Sequence, residues 1–247
     1  MAVVGIIPAR MASSRFPGKV LANRTGKPLI QHVYEAAQRC RTLEQLVIAT
    51  DDQRVVDACR AFGAACVMTS PDHPNGSSRL AEAADKLSLP DDAIVVNVQG
   101  DEPEMDTTII DAAVAALKAS STPMSTAAIR MTAAEDPGNP NIVKVVVRAD
   151  GTAMYFSRSR VPFIRDAKGS AAELPLRHVG LYVYRRPFLR LYPTLAPTPL
   201  EQLESLEQLR VLEHGHSIAV AVCTGSPSPG IDTPEQYDEF VRRHGLA

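Results

Sequence analysis

Val3, Val4, Ile6 and Ile7 form an almost uninterrupted apolar run that stops at Pro8 and opens into small and basic residues. An unbroken apolar run of strand length is the pattern of a strand buried on both faces, which occurs almost only in parallel sheets covered by helices. The following loop, within the stretch VGIIPARMASSRFPGK, carries Arg10, Ser13, Ser14, Arg15, Gly18 and Lys19. At the carboxyl end of a sheet, backbone N–H groups and fixed cations can surround phosphate oxygens. The spacing is neither GxxxxGK[ST] nor GxGxxG, and cations in a loop can equally be solvated surface groups.

The pattern then repeats. Leu29, Ile30, Val33, Ala36 and Ala37 recur at helical spacing behind Pro28, and Leu46 to Thr50 reads as a second buried strand ending in Asp51-Asp52. One of that acid pair is expected to cap the helix from about Gln53 to Phe62. A short strand, 65–69, leads to the turn-rich loop 70–79 and a helix through Leu80, Ala83, Ala84 and Leu87, with Ser77 or Ser78 as its expected cap. Arg79 in that first turn opposes the macrodipole, which points to a nearby anion or to a side chain reaching solvent. Ala93 to Val98 is another buried strand and runs into Gln99-Gly100-Asp101-Glu102-Pro103, where Asp101 can be a helix cap or a Mg²⁺ ligand. Helix 107–119 and strand 124–130 complete a βαβα alternation, so the fold class is α/β with a doubly wound, mainly parallel sheet.

The second half changes character. Residues 142–147 and 153–157 read as strands flanking an Asp-Gly turn, followed by a stretch carrying Arg158, Arg160, Arg165 and Lys168. His178 to Tyr184 is a strand, and Leu200 to Leu212 has the leucine spacing of one amphipathic helix whose Glu and Gln side chains are solvated. Strand 218–222, a Ser/Pro/Gly loop over 225–230 and a last helix capped by Asp232, with Pro234 in its first turn, complete the chain. With no repeat and no clear linker, 1–247 reads as a single domain.

At 247 residues and 45% hydrophobic, the chain can bury a substantial core. A net charge of −2 provides no global attraction for nucleic acid or anionic membranes, and no apolar run is long enough to span a bilayer. With no basic segment and cleavage site at the N-terminus, a cytoplasmic location is expected. Cys40, Cys59, Cys66 and Cys223 are scattered and read as small buried hydrophobes in a reducing compartment.

A cationic loop, Arg79, Asp101 and Asp232 together suggest a metal–nucleotide site, which fits nucleotidyl transfer, kinase-like transfer or plain nucleotide binding. The segments IPARMASSRFPGK, ATDD, SPDHPNGSSR, VNVQGDEP, NPNIVKVV, YFSR, RHVGLYVYRR, PLEQLESLEQLR and GIDTPE, nearly end to end and in order, make the chain resemble the 3-deoxy-manno-octulosonate (Kdo) cytidylyltransferases, or CMP-Kdo synthetases. The resemblance implies a nucleotide-diphospho-sugar transferase-like (Rossmann-like) mixed sheet with flanking helices, and a sugar-binding and dimerisation excursion over about 132–190. It implies a Mg²⁺-dependent homodimeric enzyme that converts CTP and Kdo to CMP-Kdo and diphosphate for lipopolysaccharide. It further implies that Arg10, Ser13, Arg15 and Lys19 cradle the CTP phosphates and that Arg79, Gln99 and the preceding loop meet the nucleotide. Lys19, Asp101 and Asp232 are then catalytic, the two acids holding metal, and Arg158, His178, Tyr182, Glu207 and Gln208 handle the sugar acid. One departure stands out: where the family commonly has an acid beside the arginine, this chain has Ser78. That leaves an 8-amino Kdo analogue open as the sugar. A sialic-type acid and a non-catalytic nucleotide-binding homologue are the remaining alternatives, the first disfavoured by the SSRFPGK run.

Overall fold

The computed structural model describes residues 1–13, 15–165, 175–225 and 230–244; Ser14, Lys168 and part of the 225–230 loop lie outside the described residues. The chain divides into two compact units, Met1–Thr108 with Arg185–Pro193 and Pro227–Ala247, and Ile109–Tyr184 with Thr194–Ser226.

In the first unit, β1 (Val3–Ala9), β2 (Gln45–Thr50), β3 (Cys66–Met68) and β4 (Ile94–Asn97) pair in the order β3-β2-β1-β4, all parallel. The apolar runs explain why: Ile6, Ile7, Ile48, Val95 and Val96 are all completely buried. β1 continues one residue past the predicted break, because Pro8 fits opposite Ala49 and the strand ends only at Ala9. Helix α1 (Leu29–Ala37) buries Leu29, Ile30, Val33, Ala36 and Ala37 and helix α3 (Gly76–Lys86) buries Leu80, Ala83 and Ala84, each from its predicted face, and α2 (Gln53–Ala61) falls within its predicted span. Asp52 caps α2, its carboxylate accepting the Arg54 N–H at 2.9 Å. Asn75, rather than Ser77 or Ser78, caps α3 by accepting the Ser78 N–H at 2.9 Å, so the helix starts two or three residues earlier than expected.

The second unit holds α4 (Thr107–Ala119, nearly all of it here), β5 (Met124–Arg130), β6 (Lys144–Val147), β7 (Ala153–Ser157) and β8 (Leu176–Arg185). Here β5 pairs parallel with β9 (Ile218–Cys223) and antiparallel with β8, with an irregularity at Thr126/Ala127. The predicted hairpin is present as β6–β7, its turn carried by Gly151 at φ +81° and by Asp150 accepting the Thr152 N–H at 2.9 Å. Between the second unit's segments the chain forms α5 (Arg186–Leu191), which belongs to the first unit.

The single helix expected over 200–212 is two: α6 (Pro199–Glu204) and α7 (Gln208–Glu213), separated by Ser205 in the left-handed region at φ +50°. Glu204 accepts the Ser157 hydroxyl at 2.6 Å and the Arg158 N–H at 2.8 Å, an anchor that holds the end of α6 on β7. The bend turns Gln208 into the core instead of leaving it on a solvated face, and Glu201 is likewise not solvated but paired with Arg210 at 2.6 Å. Helix α8 (Pro234–His244) closes the chain against the first unit, where Tyr237 and Phe240 bury against Leu29 and Ile231. Burial of two such aromatic rings contributes roughly 3–6 kcal/mol toward seating this helix.

Candidate active site

The carboxyl ends of β1 and β4 approach so closely that a Cβ on Gly100 would lie 2.5 Å from the Pro8 carbonyl oxygen; only glycine fits there. After β1 the loop folds back through Gly18, in the left-handed region at φ +72°, whose N–H donates to the Met11 carbonyl at 3.0 Å. The turn points Lys19 inward. Its ammonium donates to Asp101 Oδ2 at 2.8 Å, to Asp232 Oδ1 at 3.0 Å and to the Ile231 carbonyl at 2.8 Å, one acceptor for each of its three hydrogens. Arg15 reaches the other oxygen of Asp232 at 2.9 Å, and the Ile231 N–H donates to the Asp101 carbonyl at 2.8 Å.

Asp232 is therefore not the cap expected for α8. Thr233 takes that place, accepting the Gln236 N–H at 3.4 Å while Gln236 Oε1 accepts the Thr233 and Asp232 N–H groups. This reciprocal arrangement is a capping box, and it leaves the Asp232 carboxylate to the cations.

These residues bound a cavity of ≈ 470 Å³ lined by Arg10, Ser13, Arg15, Lys19, Arg79, Gln99, Asp101 and Asp232, with Pro8, His73, Asn75 and Gly76 on its walls. The structure thus brings together every residue assigned to the nucleotide and the metal. Three of them, Arg15, Lys19 and Arg79, are already engaged with protein acids. Arg79 is buried, with its guanidinium on Asp51 Oδ2 at 2.7 Å and Thr69 Oγ1 at 2.6 Å, so the anion that its place in the helix called for is a carboxylate of the protein itself. Ser78, the departure from the family pattern, donates its hydroxyl to the Asn75 carbonyl at 3.0 Å, inside the cap and not among the cavity-lining groups. His73 and Asn75 belong to the loop that the resemblance assigns to the nucleotide as a whole; a loop dense in turn residues offers no spacing by which to rank its members.

Two carboxylates lining a cavity that also carries cations suited to phosphate fit Mg²⁺, which takes one or two carboxylates and completes its shell with water and phosphate oxygens. Among the described residues no group of three or more His, Cys, Asp or Glu could hold a metal, which leaves the donor set short of a closed zinc site.

The residues assigned to the sugar lie in the second unit. Tyr182 donates its hydroxyl to Gln208 Oε1 at 2.8 Å, and the Gln208 Nε2 is buried without a partner. Glu207 stands at the N-cap of α7. His178 is buried against Phe156, ring centroids 4.9 Å apart. Thr126 Oγ1 has one proton and gives it to the Leu181 carbonyl at 2.7 Å, so His178 Nε2, 2.9 Å from Thr126 Oγ1, donates to that hydroxyl oxygen. Burial pushes the imidazole down to about 3, so His178 is neutral and offers hydrogen bonds, not charge. Arg158 donates through Nε to the Glu204 carbonyl at 2.7 Å and through its terminal nitrogens to the carbonyls of Pro140 at 2.9 Å and Ser205 at 3.3 Å.

The neutral histidine has a stability consequence. Below 6.5 the unfolded chain takes up a proton that folded His178 refuses, so stability falls as pH drops from 6.5 toward 3. The slope from this group is at most about 1.4 kcal/mol per pH unit. Urea unfolding at pH 4 to 7 is expected to show a shallower slope for His178→Gln than for the parent chain; equal slopes would contradict the assignment.

A parallel α/β unit that gathers cations and acids outside the carboxyl ends of its strands belongs with the nucleotide-binding α/β proteins. The model of the family described as Cytidylyltransferase matches residues 4–218. The chain is 48% identical to the 3-deoxy-manno-octulosonate cytidylyltransferase of Nitratidesulfovibrio vulgaris over 238 residues, covering 96% of this chain and 94% of the relative. It is 48% identical to that of Herminiimonas arsenicoxydans over 250 residues, covering 99% of each. A solved CMP:2-keto-3-deoxy-manno-octonic acid synthetase complexed with CTP is 39% identical with a TM-score of 0.90, covering 98% of each chain. The chain belongs to the 3-deoxy-manno-octulosonate cytidylyltransferase family.

Of the cysteines, Cys40 and Cys59 are buried as expected, whereas Cys66 and Cys223 are partly exposed; all are free thiols. No described helix is long and apolar enough to cross a membrane.

Proposed function

We propose that this protein is the enzyme that activates Kdo, converting CTP and Kdo to CMP-Kdo and diphosphate for lipopolysaccharide synthesis, as a Mg²⁺-dependent homodimer in the cytoplasm. The observation that carries this is the meeting of Asp101 and Asp232 on Lys19 at the cavity, with Arg15 on the outer oxygen of Asp232. In the reaction the sugar's C2 hydroxyl oxygen forms a bond to the α-phosphorus of CTP as the bond from that phosphorus to the diphosphate oxygen breaks, and the hydroxyl proton passes to solvent. Both reactants are anionic, so the barrier is one of charge and alignment, and no nucleophilic side chain is needed. Magnesium held by Asp101 and Asp232 would supply Lewis acidity toward the phosphate and hydroxyl oxygens. Arg10, Arg15 and Lys19 set a positive potential along the triphosphate and stabilise the charge gathering on the departing diphosphate.

Arg158, His178, Tyr182, Glu207 and Gln208 take the sugar acid. The unpartnered Gln208 Nε2 supports this, because a buried amide donor is costly until an acceptor such as a sugar oxygen meets it. Arg158 spends three of its N–H groups on carbonyls, which leaves two of five for the Kdo carboxylate. Kdo itself is favoured over the 8-amino analogue because Ser78, the one departure, is folded into the α3 cap.

The test is diphosphate release with CTP and Mg²⁺ against Kdo, its 8-amino analogue and a sialic acid. Release is expected to be fastest with Kdo. CTP binding by calorimetry with no diphosphate from any of the three sugars would instead indicate a silent nucleotide-binding homologue.

A further inference from the structure

His73 and Glu82 form a pair to which the reaction above assigns nothing. His73 lines the cavity, whereas Glu82, on α3, does not. Glu82 Oε2 accepts the Ser70 N–H at 2.9 Å and makes a short hydrogen bond with His73 Nε2, while Oε1 takes Lys86 Nζ at 2.8 Å. Burial pushes this carboxyl up, but the hydrogen bonds from Lys86, His73 and Ser70 outweigh it and bring it to about 2. Glu82 is therefore a permanent carboxylate with no proton to give, so His73 Nε2 carries one. In the neutral ring the other nitrogen, Nδ1, is then an acceptor. A carboxylate behind a histidine fixes both tautomer and ring angle, as it does for metal-bound imidazoles.

The surroundings say what such an acceptor meets. The cations Arg10, Arg15 and Lys19 come from the loop after β1, while His73 shares its loop with the uncharged Asn75 and Gly76. The one cation on that wall, Arg79, is answered by Asp51. An acceptor there repels phosphate oxygens and suits a donor on the nucleotide's base. Cytosine offers an exocyclic amine; uracil has at the same position a carbonyl oxygen, which would set lone pair against lone pair.

We propose that Glu82 is a positioning residue that, acting through His73, sets an acceptor in the cavity that selects cytosine over uracil nucleotides. The inference rests on the reading of this cavity as the CTP site.

The experiment is calorimetric titration of CTP and UTP, with no sugar present, into the parent protein and the variants Glu82→Ala, His73→Gln and His73→Asn, each checked for folding by thermal melt. The CTP-to-UTP affinity ratio is expected to fall about tenfold in Glu82→Ala and His73→Gln, the effect of one misplaced acceptor. His73→Asn can place its amide oxygen near the position of Nδ1 and is expected to keep most of the ratio. If Glu82→Ala does not fold, the two His73 variants decide. Unchanged ratios in folded Glu82→Ala and His73→Gln overturn the proposal while leaving the CTP site intact. A parent protein that binds neither nucleotide overturns the CTP site itself, and the proposal with it.

Discussion

Asp101→Asn and Asp232→Asn are each expected to lower kcat by about 10²–10³-fold, while affinity for CTP alone changes by only a few-fold. The substitutions preserve shape and remove a charge from a site where three acceptors surround one ammonium. On the proposed reading, loss of either charge would weaken the hold on magnesium and unbalance Lys19, and both effects would act on the charge that develops at the phosphorus and the leaving group. Arg10, Arg15 and the loop 70–79 wall, which the proposed reading gives to the nucleotide, remain in place. Diphosphate release and isothermal titration separate the two quantities. Near-normal release from either variant would remove the acid from the mechanism.

Lys144→Met is expected to destabilise the second unit by about 3–5 kcal/mol, the order expected when three carbonyls lose their hydrogen bonds to one charged donor. Lys144 is completely buried, and its ammonium donates to the carbonyls of Asn139 at 3.1 Å, Ile142 at 2.6 Å and Arg158. Desolvation pulls its pKa below the ordinary lysine value, yet three acceptors for three hydrogens make it a junction between the 139–142 loop and the end of β7. Methionine fills the volume but leaves those carbonyls without a donor. The unfolding transition is expected about 10 °C lower by calorimetry. Because Arg158 is anchored at the same junction, KM for Kdo is expected to rise while CTP affinity is unchanged; an unaltered melting temperature would refute the network's role.

The elements legible in the sequence are those whose evidence is local. The bounds of α4 and β5 coincide with the periodic runs that predicted them, because a run of apolar residues at one period needs no distant partner to be recognised. The helix over 200–212 misled for the complementary reason. Its leucine spacing is continuous, but Glu204 is claimed by Ser157 and Arg158, and only β7 lying against α6 supplies those partners. The caps show the same division: a cap from the Asp51-Asp52 pair was readable, though not which of the two, whereas Asp232 was lost to Lys19, a residue far away in sequence that no local rule connects to it. Arg79 revealed that an anion was near, but not that Asp51 was that anion.

Alternating apolar runs and their punctuation were enough to set an α/β chain with a parallel sheet and a cationic loop after its first strand. Family resemblance in the motifs then named the reaction class. Only the tertiary structure decided that α8, held by Tyr237 and Phe240 against Leu29, brings Asp232 to the same ammonium as Asp101, and that His178 is neutral. The physical reason is that charge, protonation and desolvation depend on what lies within a few ångströms in space, and periodicity along the chain carries no record of that distance.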